Sequence, residues 1–284
     1  MKKILVPTDF SKTATMATDV AFDIAKKSGA SIVLLHVIEG ATGGSFNVEG
    51  QVATQNMKFA DKLFNYELTK KAKTQLESVV KDPRYSAVEV VGELRVGNPY
   101  HGMRTIITEH EVDLIVMGTA GRSGASEMLI GSNTEKVIRN SRSPVLTVQK
   151  KPATTDFKNI VYATAMSKDE EIFSRMVKST QKIYNSTVHL VRINTPGDFQ
   201  RDHIVKGLMD KFAKKVGLKN YTLNIFNDLT IEEGIIRFAD QIDADLIAMA
   251  THGRSGFAHV IAGSVAEEVA SHAKRPVLTF VVKH

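Results

Sequence analysis

Three glycines and a serine at a fixed spacing are the residues of this chain best placed to do chemistry. Gly118, Gly121 and Gly131 follow an apolar segment, and Ser132 comes directly after the last glycine. Glycine lets the backbone approach a ligand closely or adopt a positive φ. A helix that begins at Gly131 and Ser132 would point its unpaired amides, and the positive end of its dipole, at an anion. The spacing therefore predicts a phosphate site between the end of a strand and the start of a helix.

The motif differs from the Walker phosphate loop, because no lysine follows its last glycine. A packing or capping role alone stays open as an alternative. Glycines often follow strands, and a Gly-Ser pair before a helix is an ordinary cap.

The same motif occurs a second time. The segment Asp245–Phe280 repeats the segment Asp113–Val148 after 132 residues, without a gap. A repeat of this length indicates a duplicated architecture, although duplication could also preserve a feature that only the fold needs. The second copy retains most of the motif, as Gly253, Gly263 and Ser264.

In the first half, short apolar runs alternate with segments of helical periodicity. This alternation predicts several consecutive strand–helix–strand units. A glycine-rich loop is predicted at Gly40–Gly50. Strands are predicted at Ile4–Val6, Ser31–Val37, Ala87–Leu94, Asp113–Met117 and Pro144–Val148, and helices from Ser11 to Gly29 and at Ala53–Val80, Asn98–Glu109 and Ser132–Asn140.

The second half repeats this order in a shorter form. The offset between matching strands falls from 156 to 132 residues, so 24 residues are missing between its second and third strands. The polar segment Gln149–Lys158 is typical of a linker and predicts two domains, 1–150 and 151–284. Strands are predicted at Ile160–Ala163, Thr187–Ile193, Tyr221–Phe226 and Asp245–Met249, with a terminal arm at Pro276–Val282.

We therefore predict an α/β fold: two tandem doubly wound domains, each a five-stranded parallel sheet with helices on both faces. In such sheets ligands bind beyond the carboxyl ends of the strands, where the strand order reverses. Gly118 and the segment Pro7–Asp9 both lie at predicted strand ends.

The composition excludes several classes of protein. The chain has no cysteine, which excludes disulfides, zinc-cysteine sites and thiol catalysis. The apolar run at the N-terminus stops at Pro7, too early for a secretory signal, and no run is long enough to span a membrane, so we expect a cytoplasmic protein without a membrane partner. The net charge of +6 fits either a solvated lysine-rich surface or attraction of a polyphosphate. Basic residues are spread along the chain, so nucleic acid is not an expected partner.

The whole motif resembles the ATP-binding branch of the universal stress proteins. The resemblance is carried by Val6–Asp9, His36-Val37, the glycine motif and the Pro-Val-Leu that follows it, and it covers nearly all 284 residues as two such domains in tandem. It implies a Rossmann-like fold of the adenine-nucleotide α-hydrolase type. It also implies ATP, with or without Mg²⁺, and a nucleotide-dependent role in stress response or signalling with at most slow hydrolysis. A genuine ATPase and a scaffold that binds no nucleotide stay as alternatives.

The resemblance divides the ligand contacts into two groups. Asp9 would contact the adenine or its ribose. The backbone of Val37 would contact the adenine edge, since its side chain is expected in the core. Asp9 could instead cap the first helix, and Arg122 could be a solvated loop charge. The base and ribose group comprises Pro7, Thr8, Asp9, Val37, Met117 and Gly118, and the phosphate group comprises Gly121, Arg122, Gly131, Ser132 and Asn133.

The second half departs from the family pattern. Ala163-Thr164-Ala165 stands where Pro7-Thr8-Asp9 stands in the first half, so the aspartate is missing, and Ala250 replaces the first glycine. Base recognition is expected to weaken while the phosphate cradle persists. The predicted weaker site comprises Gly253, Arg254, Gly263, Ser264 and Val265.

No residue is assigned a catalytic or metal-binding role. Glu127 and Glu135 are interpreted as surface residues, and no pair of histidines has the spacing of a zinc site. In the resembled family the fifth strand crosses to a partner domain. We therefore expect the two terminal arms to pair with each other, while a homodimer is a further expectation that no named residue supports.

Overall fold

The computed structural model describes residues 1–39, 59–119, 130–166, 170–252 and 262–282. These residues form strands and helices in alternation, as predicted, in an α/β Rossmann-like fold. They divide into two compact units, Met1–Met117 and Gly118–His284. Within the described ranges, no helix combines the length and apolar character that a membrane crossing requires.

The first unit is a parallel sheet with strand order β3-β2-β1-β4. The chain runs outward from β1 to β3 and then returns to the other side of β1, so the order reverses between β1 and β4. The carboxyl ends of these two strands therefore lie side by side. The elements are β1 (Lys3–Pro7), α1 (Lys12–Ser28), β2 (Ser31–Ile38), α2 (Phe59–Val80), β3 (Val90–Val96), α3 (Pro99–Glu109) and β4 (Leu114–Gly118).

Local sequence signals fix the ends of α1. The Ser11 side chain accepts a hydrogen bond from the Ala14 amide at 3.2 Å, which caps the first turn. Gly29 ends the helix with φ of 73°, a left-handed conformation that suits glycine. Both the predicted start and the predicted stop of this helix are confirmed.

The second unit contains strands in the order β5-β10-β9-β6-β7-β8. Its strands from β10 to β8 run parallel, and β5 pairs antiparallel with β10. The elements are α4 (Ser132–Asn140), β5 (Val145–Val148), β6 (Asn159–Ala163), α5 (Glu171–Tyr184), β7 (Thr187–Asn194), α6 (Asp202–Val216), β8 (Tyr221–Asn227), α7 (Ile231–Gln241), β9 (Leu246–His252), α8 (Ala262–His272) and β10 (Val277–Val282).

The predicted pairing of the two terminal arms is confirmed. Thr147 lies opposite Val277, Leu146 opposite Leu278, and Val145 opposite Thr279, so the repeated Val-Leu-Thr pairs with its own copy. The buried hydroxyl of Thr147 donates to the Val277 carbonyl at 3.2 Å. Because β5 joins β10, the compact units divide before β5. The domain boundary at residue 150 stays a prediction from the linker composition.

Several element bounds differ from the sequence prediction by one to three residues. The third strand begins at Val90 rather than Ala87, because a 3-10 turn at Pro83–Tyr85 delays its start. The helix predicted from Ala53 is described from Phe59 onward, and the predicted loop Gly40–Gly50 lies outside the described residues. In the second unit, α6 has 15 residues where α2 has 22, so part of the shortening falls in this helix.

Candidate functional site

Side-chain hydrogen bonds shape the turn after β1. The Thr8 hydroxyl accepts from the Phe10 amide at 3.0 Å, and the Asp9 carboxylate accepts from the Ser11 amide at 2.9 Å. Phe10 has φ of 63°, which a non-glycine residue rarely adopts, and these two bonds hold it there. Ser11 is the helix cap, so Asp9 supports the turn before the helix instead of capping α1.

The end of β1 is tied to the end of β2. The Thr8 amide donates to the Leu35 carbonyl at 2.8 Å, and His36 Nδ1 lies 2.7 Å from the Thr8 carbonyl. A carbonyl can only accept, so Nδ1 of His36 carries the proton. The rings of Phe10 and His36 lie 4.5 Å apart. His36, which carried part of the family resemblance, therefore positions the segment Pro7–Asp9.

Val37 follows directly and is only partly buried, so the expectation of a fully buried side chain is wrong. Val37 is the second-to-last residue of β2, and α3 approaches it closely at Gly102. A Cβ added to Gly102 of α3 would lie 3.0 Å from Val37 Cγ2. Met117, in contrast, is buried at the end of β4, which leaves its backbone as the part able to meet a ligand.

In the second unit, hydrogen bonds join the end of β4 to the start of α4. The Gly131 amide donates to the Thr119 carbonyl at 2.7 Å, and the Thr134 hydroxyl donates to the Gly118 carbonyl at 3.0 Å. The first and last parts of the glycine motif are therefore adjacent, as its spacing predicted. Thr119 and Thr134 were not predicted from the sequence, because their roles depend on the hydrogen bonds that join the end of β4 to the start of α4. Gly121 and Arg122 lie outside the described residues.

Among the described residues, no side chain caps the first turn of α4, and the same holds for α5 and α6. The N-cap of α4 is Gly131, whereas Ser11, Asn98 and Thr230 cap other helices with their side chains. Gly131 has φ of −63°, which any residue can adopt, so its backbone conformation does not require glycine. Ser132 is exposed beside it, and Asn133 is partly exposed. The first turn of α4 therefore has amide donors that no described side chain occupies, and such donors suit an anion.

Glu135 lies on the accessible side of α4, as the sequence indicated. It pairs with Arg139 one turn later at 3.0 Å, and Arg139 also pairs with Glu267 of α8. The hydrogen bonds that Arg139 donates to the Glu267 carboxylate raise the pKa of Arg139 above its usual range. Glu135 is thus held by a neighbouring cation. In the described residues, no three histidine, aspartate or glutamate side chains gather as a metal site.

The turn after β6 repeats the turn after β1 without the aspartate. The Thr164 hydroxyl accepts from the Met166 amide at 2.9 Å, and Met166 has φ of 59°, much as Thr8 and Phe10 do. The Thr164 amide also reaches β7, donating to the Val191 carbonyl at 3.3 Å. The threonine therefore belongs to the turn itself, whereas Asp9 is an addition of the first half.

A buried carboxylate occupies the end of β6 instead. Glu170 is 1% exposed and accepts from Tyr162 at 3.0 Å, from the Thr164 hydroxyl at 2.6 Å and from the Ala165 amide at 3.0 Å. Burial and the negative charge of Glu170 raise the pKa of Tyr162 well above its usual value. Sequence analysis missed Glu170. The available signal was a tyrosine inside a buried strand, since a buried phenol needs a partner.

The second copy of the glycine motif also differs at the helix start. Helix α8 begins at Ala262, so Gly263 and Ser264 lie within its first turn, whereas Gly131 precedes α4. Alanine at 262, where the first copy has Ile130, favours this extension. The side chain of Val265 is buried, and Gly253 and Arg254 lie outside the described residues.

Comparison with known proteins identifies the family of this chain. A universal stress protein of Methanocaldococcus jannaschii is 34% identical over 164 residues, which are 53% of this chain and 96% of that protein. One of Synechocystis is 24% identical over 292 residues, covering 99% of this chain and all of that protein. The crystal structure of a universal stress protein from Archaeoglobus fulgidus has the same fold, with a TM-score of 0.74, 21% identity and 98% of each chain covered.

The family model of the universal stress proteins matches residues 1–149 and 228–281. Those two segments are more than half of the chain and contain both glycine motifs. On this evidence, the chain belongs to the universal stress protein family.

Proposed function

We propose that this protein binds ATP through its first half and serves as a nucleotide-dependent module in stress response or signalling. The observation that carries the proposal is the junction of β4 and α4. There, Gly131 and Thr134 are bonded to the strand end while no described side chain caps the first turn of the helix. Amides at such a turn bind phosphate through hydrogen bonds and through the helix dipole.

Base selectivity is assigned to the turn after β1. The Ser11 amide orients the Asp9 carboxylate, which as an acceptor suits a ribose hydroxyl or the adenine amine. Backbone groups of Val37, at the neighbouring strand end, would contact the adenine edge. Mg²⁺ would enter with the triphosphate, as a hard cation that prefers phosphate oxygens.

We propose a tandem protein whose two nucleotide sites are unequal. In the second half, Ala165 replaces the aspartate, and the Ala165 amide is already bonded to Glu170. Helix α8 also starts earlier than α4 relative to the motif. The second site should therefore bind nucleotide more weakly than the first, or not at all.

Calorimetric titration with ATP and Mg²⁺ tests this proposal, with one site per chain as the expected result. Ser132→Ala is expected to lower the affinity about tenfold, because a hydrogen bond to a charged phosphate is lost. The matched control is Ser264→Ala in the second copy, which should leave the affinity unchanged. Two equal sites, or equal effects of both substitutions, would contradict the proposal.

Slow hydrolysis fits the site better than efficient ATPase activity. Glu135, a carboxylate near the start of α4, is paired with Arg139 and is therefore poorly placed to activate water. A turnover assay with radiolabelled ATP separates the alternatives. Fast turnover that disappears in Ser132→Ala would establish a genuine ATPase, and absence of ATP binding would favour a scaffold.

The proposal extends to location and assembly. We propose a cytoplasmic protein whose partner is an adenine nucleotide, without nucleic acid or membrane, and which forms a homodimer. Analytical ultracentrifugation across a concentration series tests the homodimer: a molecular mass of 31.2 kDa at every concentration would exclude it.

A further inference from the structure

A pocket of about 350 Å³ opens beside the turn after β6. Its walls come from that turn, from the ends of β7 and α5, and from one side of α6. Its nine lining residues all fall between residues 165 and 215, outside the two segments that the family model matches. They are Ala165, Met166, Glu171, Arg192, Gln200, Leu208, Lys211, Phe212 and Lys215.

Arg192 gives this pocket a cation at its inner wall. Its side chain is 13% exposed, and one terminal nitrogen donates to Asp198 at 2.6 Å. Its Nε is buried and has no hydrogen-bond partner among the described residues. A guanidinium lining a pocket can donate paired hydrogen bonds to a phosphate or carboxylate, which makes Arg192 a candidate contact for an anion.

Helix α6 supplies the outer wall, with one apolar and two basic side chains on the same side of the helix. Leu208, Lys211 and Lys215 follow one another at intervals of three and four residues, so they share one side of the helix. Leu208 is 46% exposed, so its side chain is accessible to a ligand in the pocket. Lys215 is paired with Glu171, whereas Lys211 has no hydrogen bond or ion pair within the described ranges.

The apolar and cationic parts of the pocket are next to each other. Met166, Leu208 and Phe212 form an apolar surface. Cations also line the pocket, among them Arg192, which is paired with Asp198, and Lys211, which is unpaired within the described ranges. We propose that this pocket binds a small amphipathic anion, an organic phosphate monoester or carboxylate. Its apolar body lies on Met166 and Leu208, and its anionic group lies between Arg192 and Lys211. This inference is independent of ATP binding by the first half.

Phenyl phosphate is a suitable probe, because it joins a small ring to a phosphate. Protein labelled with ¹³C in its methionine methyl groups would be titrated, and the Met166 resonance assigned with Met166→Leu. The Met166 resonance is expected to shift with saturation. Phenol has only the ring and inorganic phosphate only the anion, so each loses one set of contacts. Each is expected to bind at least about tenfold more weakly than phenyl phosphate, as measured by the concentration that half-saturates the Met166 shift.

Two matched pairs of variants test the two surfaces. Lys211→Gln should weaken the binding of phenyl phosphate about tenfold, while Lys206→Gln, exposed on the same helix but outside the pocket, should not change it. Leu208→Ser should weaken binding, and Ile204→Ser, also exposed on α6, should not. An unsaturable shift, an equal response to phenol, or equal effects within either pair would overturn the inference.

Discussion

At the scale of single residues, the two halves differ most in where they place a carboxylate. The first half holds Asp9 on the turn after β1, bonded to the Ser11 amide and partly exposed. The second half holds Glu170 inside the fold, where it accepts from Tyr162, Thr164 and Ala165. A partly exposed carboxylate can serve a ligand, whereas a buried one with three donors serves the structure.

Replacing Glu170 by alanine should therefore destabilise the protein. Glu170→Ala leaves the buried hydroxyls of Tyr162 and Thr164 and the Ala165 amide without this acceptor, and we expect a loss of about 3 kcal/mol in the free energy of unfolding. Urea denaturation measures this loss. Glu171→Ala, next along the chain and partly exposed, removes a surface ion pair with Lys215 and should cost less than about 1 kcal/mol. Equal losses for the two variants would refute the structural role of Glu170.

A second residue-scale prediction concerns pH. Burial lowers the pKa of His189, whose Nδ1 lies 2.8 Å from the Thr222 hydroxyl. The unfolded chain therefore takes up a proton near pH 6.5 while the folded protein still resists it. The contribution of His189 to stability is present above about pH 6.5 and is lost as the pH falls through the lower, folded pKa.

His189→Gln should reduce this loss, because glutamine does not titrate. The measurement is the thermal unfolding midpoint between pH 7 and pH 5. His101→Gln, on the exposed side of α3, is the control and should leave the pH dependence as it is. A pH dependence unchanged by His189→Gln would exclude the assignment.

At the scale of elements, two glycines set how closely helices approach the sheet. Gly102 of α3 faces Val37, and its equivalent Gly234 of α7 faces Ile193. A Cβ on Gly234 would lie 2.6 Å from Ile193 Cγ2, closer than the 3.0 Å found at Gly102 and Val37. The second half is therefore packed more tightly at this contact, and both helices lie beside the strand that follows the candidate base turn.

Alanine at these glycines should destabilise unequally. Gly234→Ala is expected to cost about 1–3 kcal/mol through overpacking, and Gly102→Ala less, because its clash is milder. Gly207→Ala is the matched control: apart from the backbone of its own helix and its chain neighbours, no described atom lies within 4 Å of its added Cβ, so it should stabilise α6 by up to about 1 kcal/mol. Thermal or urea unfolding measures all three, and the opposite order would contradict this packing.

Sequence patterns predicted what depends on local spacing. The helix Ser132–Asn140 was predicted with the bounds that α4 has, because its cap and periodicity lie within ten residues. The closeness of Gly118 and Gly131 also followed from the motif. Glu170 and the pocket at Arg192 did not, because their surroundings come from distant strands and helices. The partial exposure of the Val37 side chain was not predicted either, because it depends on how α3 packs against β2.

At the scale of the whole molecule, the repeated arm is where one copy meets the other. In the second unit, β5 of the first copy pairs with β10 of the second, and Arg139 of α4 reaches Glu267 of α8. Residues before and after the predicted linker thus belong to one packed structure. The linker Gln149–Lys158 only has to connect them.

Cutting the linker should therefore not separate the chain. A recognition site for a sequence-specific protease, inserted after Pro152, would be cleaved, and the two fragments are expected to elute together in size-exclusion chromatography. Leu146→Asp places a charge opposite Leu278 in the buried pair and should release them, because an unpaired buried charge is costly. Separate elution of the unmodified fragments would contradict the role of β5.

The pairing of Leu146 with Leu278 has a consequence for assembly. Val-Leu-Thr is self-complementary, so one such arm could equally recruit the arm of another molecule. Joining both arms covalently replaces that encounter with an intramolecular one at a high effective concentration. The contact should accordingly survive dilution in the intact chain. In a chain shortened to its first 150 residues, the fraction of β5 arms paired with the arm of a second molecule would instead depend on the protein concentration.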